Sequence, residues 1–107
     1  MVRLTMVLVA SPRRAQNLVE AFRSLMLRTR LEPGCLDCSA WSDPDSTVHY
    51  FEEWETEADI RRRVRSDLFT SLLAVVEGAQ KPPYVRFEFL TTTRGLDYVA
   101  EIRQTHE

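Results

Sequence analysis

Glu32-Pro33-Gly34-Cys35-Leu36 and, beyond the turn Asp43-Pro44-Asp45-Ser46, Val48-His49-Tyr50-Phe51-Glu52-Glu53-Trp54 are the stretches whose reading decides the fold. Pro33-Gly34 ends whatever helix precedes it, because Pro lacks an amide hydrogen and Gly favours termination. Cys35 to Trp41 then reads as a strand, Asp43 to Ser46 as turn chemistry, and Thr47 to Trp54 as a returning strand. Thr56 follows at once as a helix N-cap, with Asp59 three residues on as its capping-box partner.

Working outward, Val2 to Ala10 alternates, with Val2, Leu4, Met6, Leu8 and Ala10 on one face and Arg3, Thr5, Val7 and Val9 on the other. Both faces are mostly apolar, which is the pattern of a central strand covered on both sides. Ser11-Pro12 opens a helix with a good cap and a proline at its first position. Ala15, Leu18, Val19, Phe22, Leu25 and Met26 give that helix one apolar face. A second stripe of Ile60, Val64, Leu68, Leu72 and Val76 marks the later helical region, with Ser66-Asp67 as a point where it can split in two. Lys81-Pro82-Pro83 stops it, Tyr84 to Thr92 reads as the fourth strand, and residues 95–104 as a short terminal helix.

The order βαββαβ specifies an α+β, ferredoxin-like domain spanning residues 1–107, with an antiparallel four-stranded sheet and its helices on one face. The other face then carries Val7, Val9, Phe51 and Leu90, too apolar to stand in water together. A second copy of the same sheet is the simplest cover, so a homodimer through the open sheet face is expected. The 107 residues, 44% hydrophobic and 28% charged, with a formal net charge of -2, suit one globular domain and offer no basic surface for nucleic acid. No apolar run reaches membrane-spanning length and no leader pattern opens the chain, so a cytoplasmic location and no membrane partner are expected.

Several of these stretches together resemble the antibiotic biosynthesis monooxygenase family of dimeric α+β barrels. Glu32-Pro33-Gly34-Cys35-Leu36 resembles the family's entry into its second strand. Glu53-Trp54, with Ala58, Ile60, Ser66 and Phe69 after it, resembles the third strand and following helix. Tyr84-Val85-Arg86-Phe87 resembles the last strand, and Thr93-Arg94-Gly95-Leu96 is similar to a bacterial subgroup of quinol monooxygenases. The resemblance implies a small cavity between sheet and helices, used by characterised members to oxidise hydroxylated aromatics with O2 and with no metal or flavin cofactor. Relatives of the same fold degrade haem, isomerise lactones or have no known reaction, and fold alone does not choose among these.

Many members carry a His nine residues after the Trp and another five later; here those positions are Arg63 and Leu68. An imidazole with a pKa near ~6.5 can act as a base at neutral pH, whereas a guanidinium near ~12.5 or above cannot. Arg63 is therefore read as the group that holds a phenolate or carboxylate, with Trp54 and Tyr50 beside it as catalytic residues. Phe69, Trp41 and Leu68 are the expected substrate-binding walls. Missing the strand-one Asn that haem-degrading relatives use, the chain is not expected to break down haem. The alternatives left open are a non-catalytic dimeric module for a small aromatic ligand and a non-oxidative isomerase.

Other features have plainer readings. Arg61, Arg62, Arg63 and Arg65 suit a solvated helix face paired with Glu57 and Asp59. His49, opposite Tyr50 in alternation, belongs to the dimer face or a satisfied core position, and Arg86 to an ion pair across the barrel. Cys35 and Cys38 form a CxxC on a strand, where positions three apart point to opposite faces, so they are read as packing residues. No catalytic serine motif or phosphate-binding glycine loop occurs; the three glycines are Gly34, Gly78 and Gly95.

Overall fold

In a computed structural model, which describes residues 1–79, 81–89 and 93–104, the chain runs β1 (Val2–Val9), α1 (Pro12–Arg30), β2 (Cys35–Ser42), β3 (Thr47–Trp54), α2 (Glu57–Arg65), α3 (Asp67–Glu77), β4 (Tyr84–Glu88), β5 (Thr93–Arg94) and α4 (Asp97–Gln104). The sheet order is β2-β3-β1-β4-β5, antiparallel throughout, with the ferredoxin-like core on four strands and β5 as a two-residue extension. As expected, β1 is central, paired with β3 (Leu4 with Glu52) and with β4 (Leu4 with Phe87).

Local chemistry accounts for the element boundaries. The Ser11 side chain accepts from the Arg14 amide, and Pro12 opens α1. Thr56 and Asp59 form the reciprocal capping box of α2. Ser66 does two jobs: with φ -75° and ψ 156° it leaves the helical region, ending α2, while its side chain accepts from the Phe69 amide to start α3. In the β2–β3 turn, Asp43 Oδ1 accepts from the amides of Asp45 and Thr47, and Ser46 takes a left-handed φ of 64°.

The core lies between the sheet and the helices. Val2, Leu4, Met6 and Leu8 of β1, Phe22 and Met26 of α1, and Ile60, Val64, Leu72 and Val76 of α2 and α3 are buried there. Leu68, expected in the same stripe, is only half-buried because the break at Ser66 turns α3 relative to α2. The expected fourth strand, Tyr84 to Thr92, is shorter: β4 ends at Glu88, and β5 folds back so that Phe87 pairs with Arg94. Leu90, placed by alternation on the open face, lies outside the described residues.

Helix α4 packs on α2 of its own chain. Buried Tyr98 sits edge-on to Phe87 and Phe89 and donates to Glu57 Oε2 at 2.9 Å. Arg103 donates to the Val64 carbonyl at 2.7 Å and to Thr70 Oγ1 at 2.8 Å. Among the described residues, no helix is long and apolar enough to cross a membrane.

The reading of Cys35 and Cys38 as residues on opposite faces is corrected. The register shifts between Cys35 and Asp37: Cys35 pairs with Trp54, Asp37 with Glu53 and Cys38 with Glu52. Leu36 is thus the extra residue of a bulge, and both thiols belong to the helix-facing side. They are free, Cys38 fully buried and Cys35 partly so.

Candidate functional site

Strand β3 alternates so that Val48, Tyr50, Glu52 and Trp54 point at the helices. A carboxylate among three apolar or aromatic positions is the exception in that series, and it is completely buried. Burial of an ionised carboxylate requires full compensation, and here four donors supply it. Tyr50 donates its hydroxyl to Glu52 Oε2 at 2.5 Å and Trp54 donates Nε1 to Oε1 at 2.8 Å. Arg63 donates Nη2 to Oε2 at 2.8 Å and Nε to Oε1 at 3.2 Å, a bidentate fork.

Arg63 is itself 1% exposed and stands over the Phe69 ring, its Cζ 5.3 Å from the centroid. Of its nitrogens, Nη1 is buried and has no hydrogen-bond acceptor; the nearest charge is Glu32 Oε1 at 3.5 Å. Burial by itself would lower the Arg63 pKa, but attraction to Glu52 and its hydrogen bonds, aided by Tyr50 and Glu32, outweighs that and holds it above the usual guanidinium value. Arg63 is permanently charged.

The other groups of the cluster are held in their neutral or half-desolvated forms. Burial, with the Glu52 charge adding, pushes the Tyr50 phenol well above its ordinary value. Cys38, whose Sγ lies 3.4 Å from the Tyr50 hydroxyl, is pushed up by burial to about 12, and Cys35 likewise to about 11. Partial burial raises the Glu32 carboxyl despite the nearby Arg63 charge; Glu52 adds to the rise and Arg62 opposes it.

The Glu32 turn is pinned against α2. Gly34, at φ +85°, lies so close to Asp59 that a Cβ there would meet the carboxylate at 2.2 Å. Arg62 donates to the Pro33 carbonyl at 2.8 Å and to Asp59 at 2.7 Å, and the Glu55 amide donates to Gly34 O at 2.8 Å. Glu32 is thereby fixed opposite Arg63 at the outer end of the cluster, its side chain 24% exposed. Cys35 borders the same corner and also lines a surface depression of about 180 Å³ with Arg30, Leu36 and Asp37.

The sequence-predicted residues divide accordingly. Arg63, Trp54, Tyr50 and Phe69 are brought together; Leu68 is half-buried on the first turn of α3. Trp41 is not brought to them: it lies on the opposite sheet face, stacked on His49 at 5.2 Å between centroids. It also lines a separate depression of about 450 Å³ with Gln16, Glu20 and Arg23. His49 bonds Asp43 through Nε2 at 3.0 Å, which holds the Asp43 carboxyl below its usual value. Arg86 pairs with Glu88 on its own strand, and the arginine run is the solvated, paired face expected only in part: Arg62 is exposed on Asp59 and Arg61 lies near Glu57, but Arg61 and Arg65 are half-buried and Arg63 is fully buried. Sequence reading missed Glu52 and Glu32. Glu52 was readable by alternation, between Tyr50 and Trp54; nothing in the spacing of Glu32 points to Arg63.

Comparison with known proteins adds the following. The family model described as antibiotic biosynthesis monooxygenase matches residues 1–75, which include the Glu32 turn, β3 and the whole of the Glu52–Arg63 cluster. A conserved protein from Methanosarcina mazei Go1 superposes with a TM-score of 0.71 at 22% identity, over 81% of this chain and 89% of that one. A structure described as antibiotic biosynthesis monooxygenase gives 0.69 at 19%, over 86% and 100%. Rv0793 from Mycobacterium tuberculosis gives 0.71 at 17%, over 85% and 95%. No curated protein sequence matches significantly.

Proposed function

The chain belongs to the antibiotic biosynthesis monooxygenase family, and from that membership we propose that it oxidises a quinol or related hydroxylated aromatic with O2, without a metal or flavin. Proteins of this family are generally dimers that bind small ligands. The observation that carries the proposal is Arg63 Nη1: a buried cationic N–H group without an acceptor, among Trp54, Tyr50 and Phe69. A buried donor without a hydrogen bond costs on the order of 1–3 kcal/mol, which the Glu32 charge at 3.5 Å offsets only in part, and an oxyanion from the substrate would supply the missing acceptor. A hydroxylated aromatic that loses its proton becomes a phenolate, which can pass one electron to O2; the resulting radicals combine at carbon. In this reading the anion is held on Arg63 with the ring against Trp54 and Phe69, and because both are fully buried the cluster must open to admit the ring and close again to exclude water.

The dimer is part of this reading. The open face presents Val9, Trp41 and Tyr84 exposed, with Val7, His49 and Phe51 half-buried beside them, and a second copy would cover them.

Purified, metal-stripped protein should consume O2 with a panel of hydroquinones and naphthols in the presence of chelator. Arg63→Lys keeps a charge for Glu52 but removes the fork and Nη1; we expect uptake to fall by about 10²–10³-fold in a protein that remains folded by circular dichroism. An unchanged rate would remove Arg63 from the mechanism. The closed state of the cluster, with Glu52 saturated by four donors, favours one second reading, a non-catalytic binding module. That reading predicts thermal stabilisation by hydroxylated aromatics with no O2 uptake and no product.

A further inference from the structure

An oxidation that begins from a phenolate needs a proton acceptor, and Arg63, held permanently charged, cannot be one. The structure eliminates most of the other candidates near it. Glu52 has both oxygens occupied by four donors, which uses up the lone pairs of a carboxylate. Tyr50 keeps its proton, donating it in a hydrogen bond to Glu52, and so cannot accept another. Cys35 and Cys38, pushed up to about 11 and about 12, stay protonated at neutral pH. His49 is on the other side of the sheet, bonded to Asp43.

Glu32 is different. It faces the one unsatisfied nitrogen of Arg63 at 3.5 Å, is partly open to solvent, and is held there by the Gly34–Asp59 and Arg62–Pro33 contacts. Arg63 Nη1 and Glu32 Oε1 face each other directly at 3.5 Å, so a hydroxyl entering between them as the pair parts would meet both groups. We infer that Glu32 is the general base of this site: it takes the proton of an aromatic hydroxyl whose oxygen is received by Arg63 Nη1.

In that step the O–H bond breaks and its electron pair stays on oxygen. The proton goes to a Glu32 oxygen and the phenolate is held by Arg63. No oxidant is involved until O2 receives an electron afterwards. Partial burial moves the Glu32 carboxyl upward, toward the range where a base works best; Glu52 and the Cys35 side face it from β3 and β2, and Arg63 and Arg62 from α2. Its solvent-facing side gives the proton a way out.

The inference rests on the proposed site but not on oxygen chemistry, and the test separates the two. Anaerobic protein is titrated with 4-nitrophenol and 4-nitrocatechol below the pKa of each probe, and formation of the yellow phenolate is followed by absorbance. Wild type should ionise the bound probe, Glu32→Asp should do so in part, and Glu32→Gln should bind it neutral. If oxidation also occurs, Glu32→Gln should lower the rate by about 10²-fold or more at neutral pH and recover as the pH rises and the substrate ionises unaided. Equal ionisation by wild type and Glu32→Gln, or no ionisation by wild type, overturns the role of Glu32. Ionisation that depends on Glu32 without any O2 uptake upholds it and overturns the monooxygenase reading alone.

Discussion

Two carboxylates flank Arg63, and they affect stability in opposite senses. Glu52 is saturated, and breaking such a buried pair costs about 3–5 kcal/mol, so it belongs to the framework. Glu32 is raised above its ordinary value of 4.5, which means that burial costs its charged form more than Arg63 returns. Between 4.5 and that raised value the folded chain binds more protons than the unfolded one. Its stability contribution therefore falls as pH rises through this window, and the cost is complete above it. Glu32→Gln should accordingly be more stable than wild type at pH 7, with the difference vanishing toward pH 4, as measured by urea unfolding across pH. A less stable variant at pH 7 would make the Glu32–Arg63 pair a structural contact. This scale was only partly legible in the sequence. Arg63, Tyr50, Trp54 and Phe69 could be singled out, but strand carboxylates are ordinarily solvent-facing, and that habit hid Glu52 despite its even spacing from Tyr50 and Trp54. Trp41 was drawn to the wrong face for the site because its pairing with His49, rather than Tyr50, is a matter of register.

Among the elements, the Glu32–Cys35 turn sets where α2 begins. Gly34→Ala forces a side chain at φ +85° into Asp59, whose carboxylate caps α2 through the Thr56 amide and hydroxyl. Left-handed strain of about 1–3 kcal/mol adds to a lost cap of about 1 kcal/mol, so we expect a loss of about 2–4 kcal/mol, seen as a lower urea midpoint with an unchanged slope. A loss well under 1 kcal/mol would show that the turn can move away from the helix. The helices and first three strands were readable because caps, proline and alternation all agree at their ends. The bulge at Leu36 was not, since a two-against-one pairing depends on the partner strand rather than on the residue. For the same reason β5, two residues long, leaves no periodic trace.

For the whole molecule, βαββαβ order with a doubly apolar first strand was enough to give an antiparallel sheet with its first strand central and to leave one face uncovered. Phe51 lies on that face against the Arg3 guanidinium, its centroid 5.2 Å from Cζ. Phe51→Asp should convert the expected dimer to a monomer in sedimentation velocity while leaving the circular dichroism of the fold intact. A wild type that sediments as a monomer at micromolar concentration would instead sink the proposed covering of this face. The two faces also differ in what light they emit. The chain has two tryptophans, Trp54 sealed in the core against a carboxylate and Trp41 45% exposed on the open face. Excited at the same wavelength, they sit in different solvents: Trp54 senses water only when the domain unfolds, whereas Trp41 would lose water whenever a second chain docks over it. Emission wavelength on dilution and on denaturation would thus separate association from folding without any added label, each single Trp→Phe variant silencing one of the two signals.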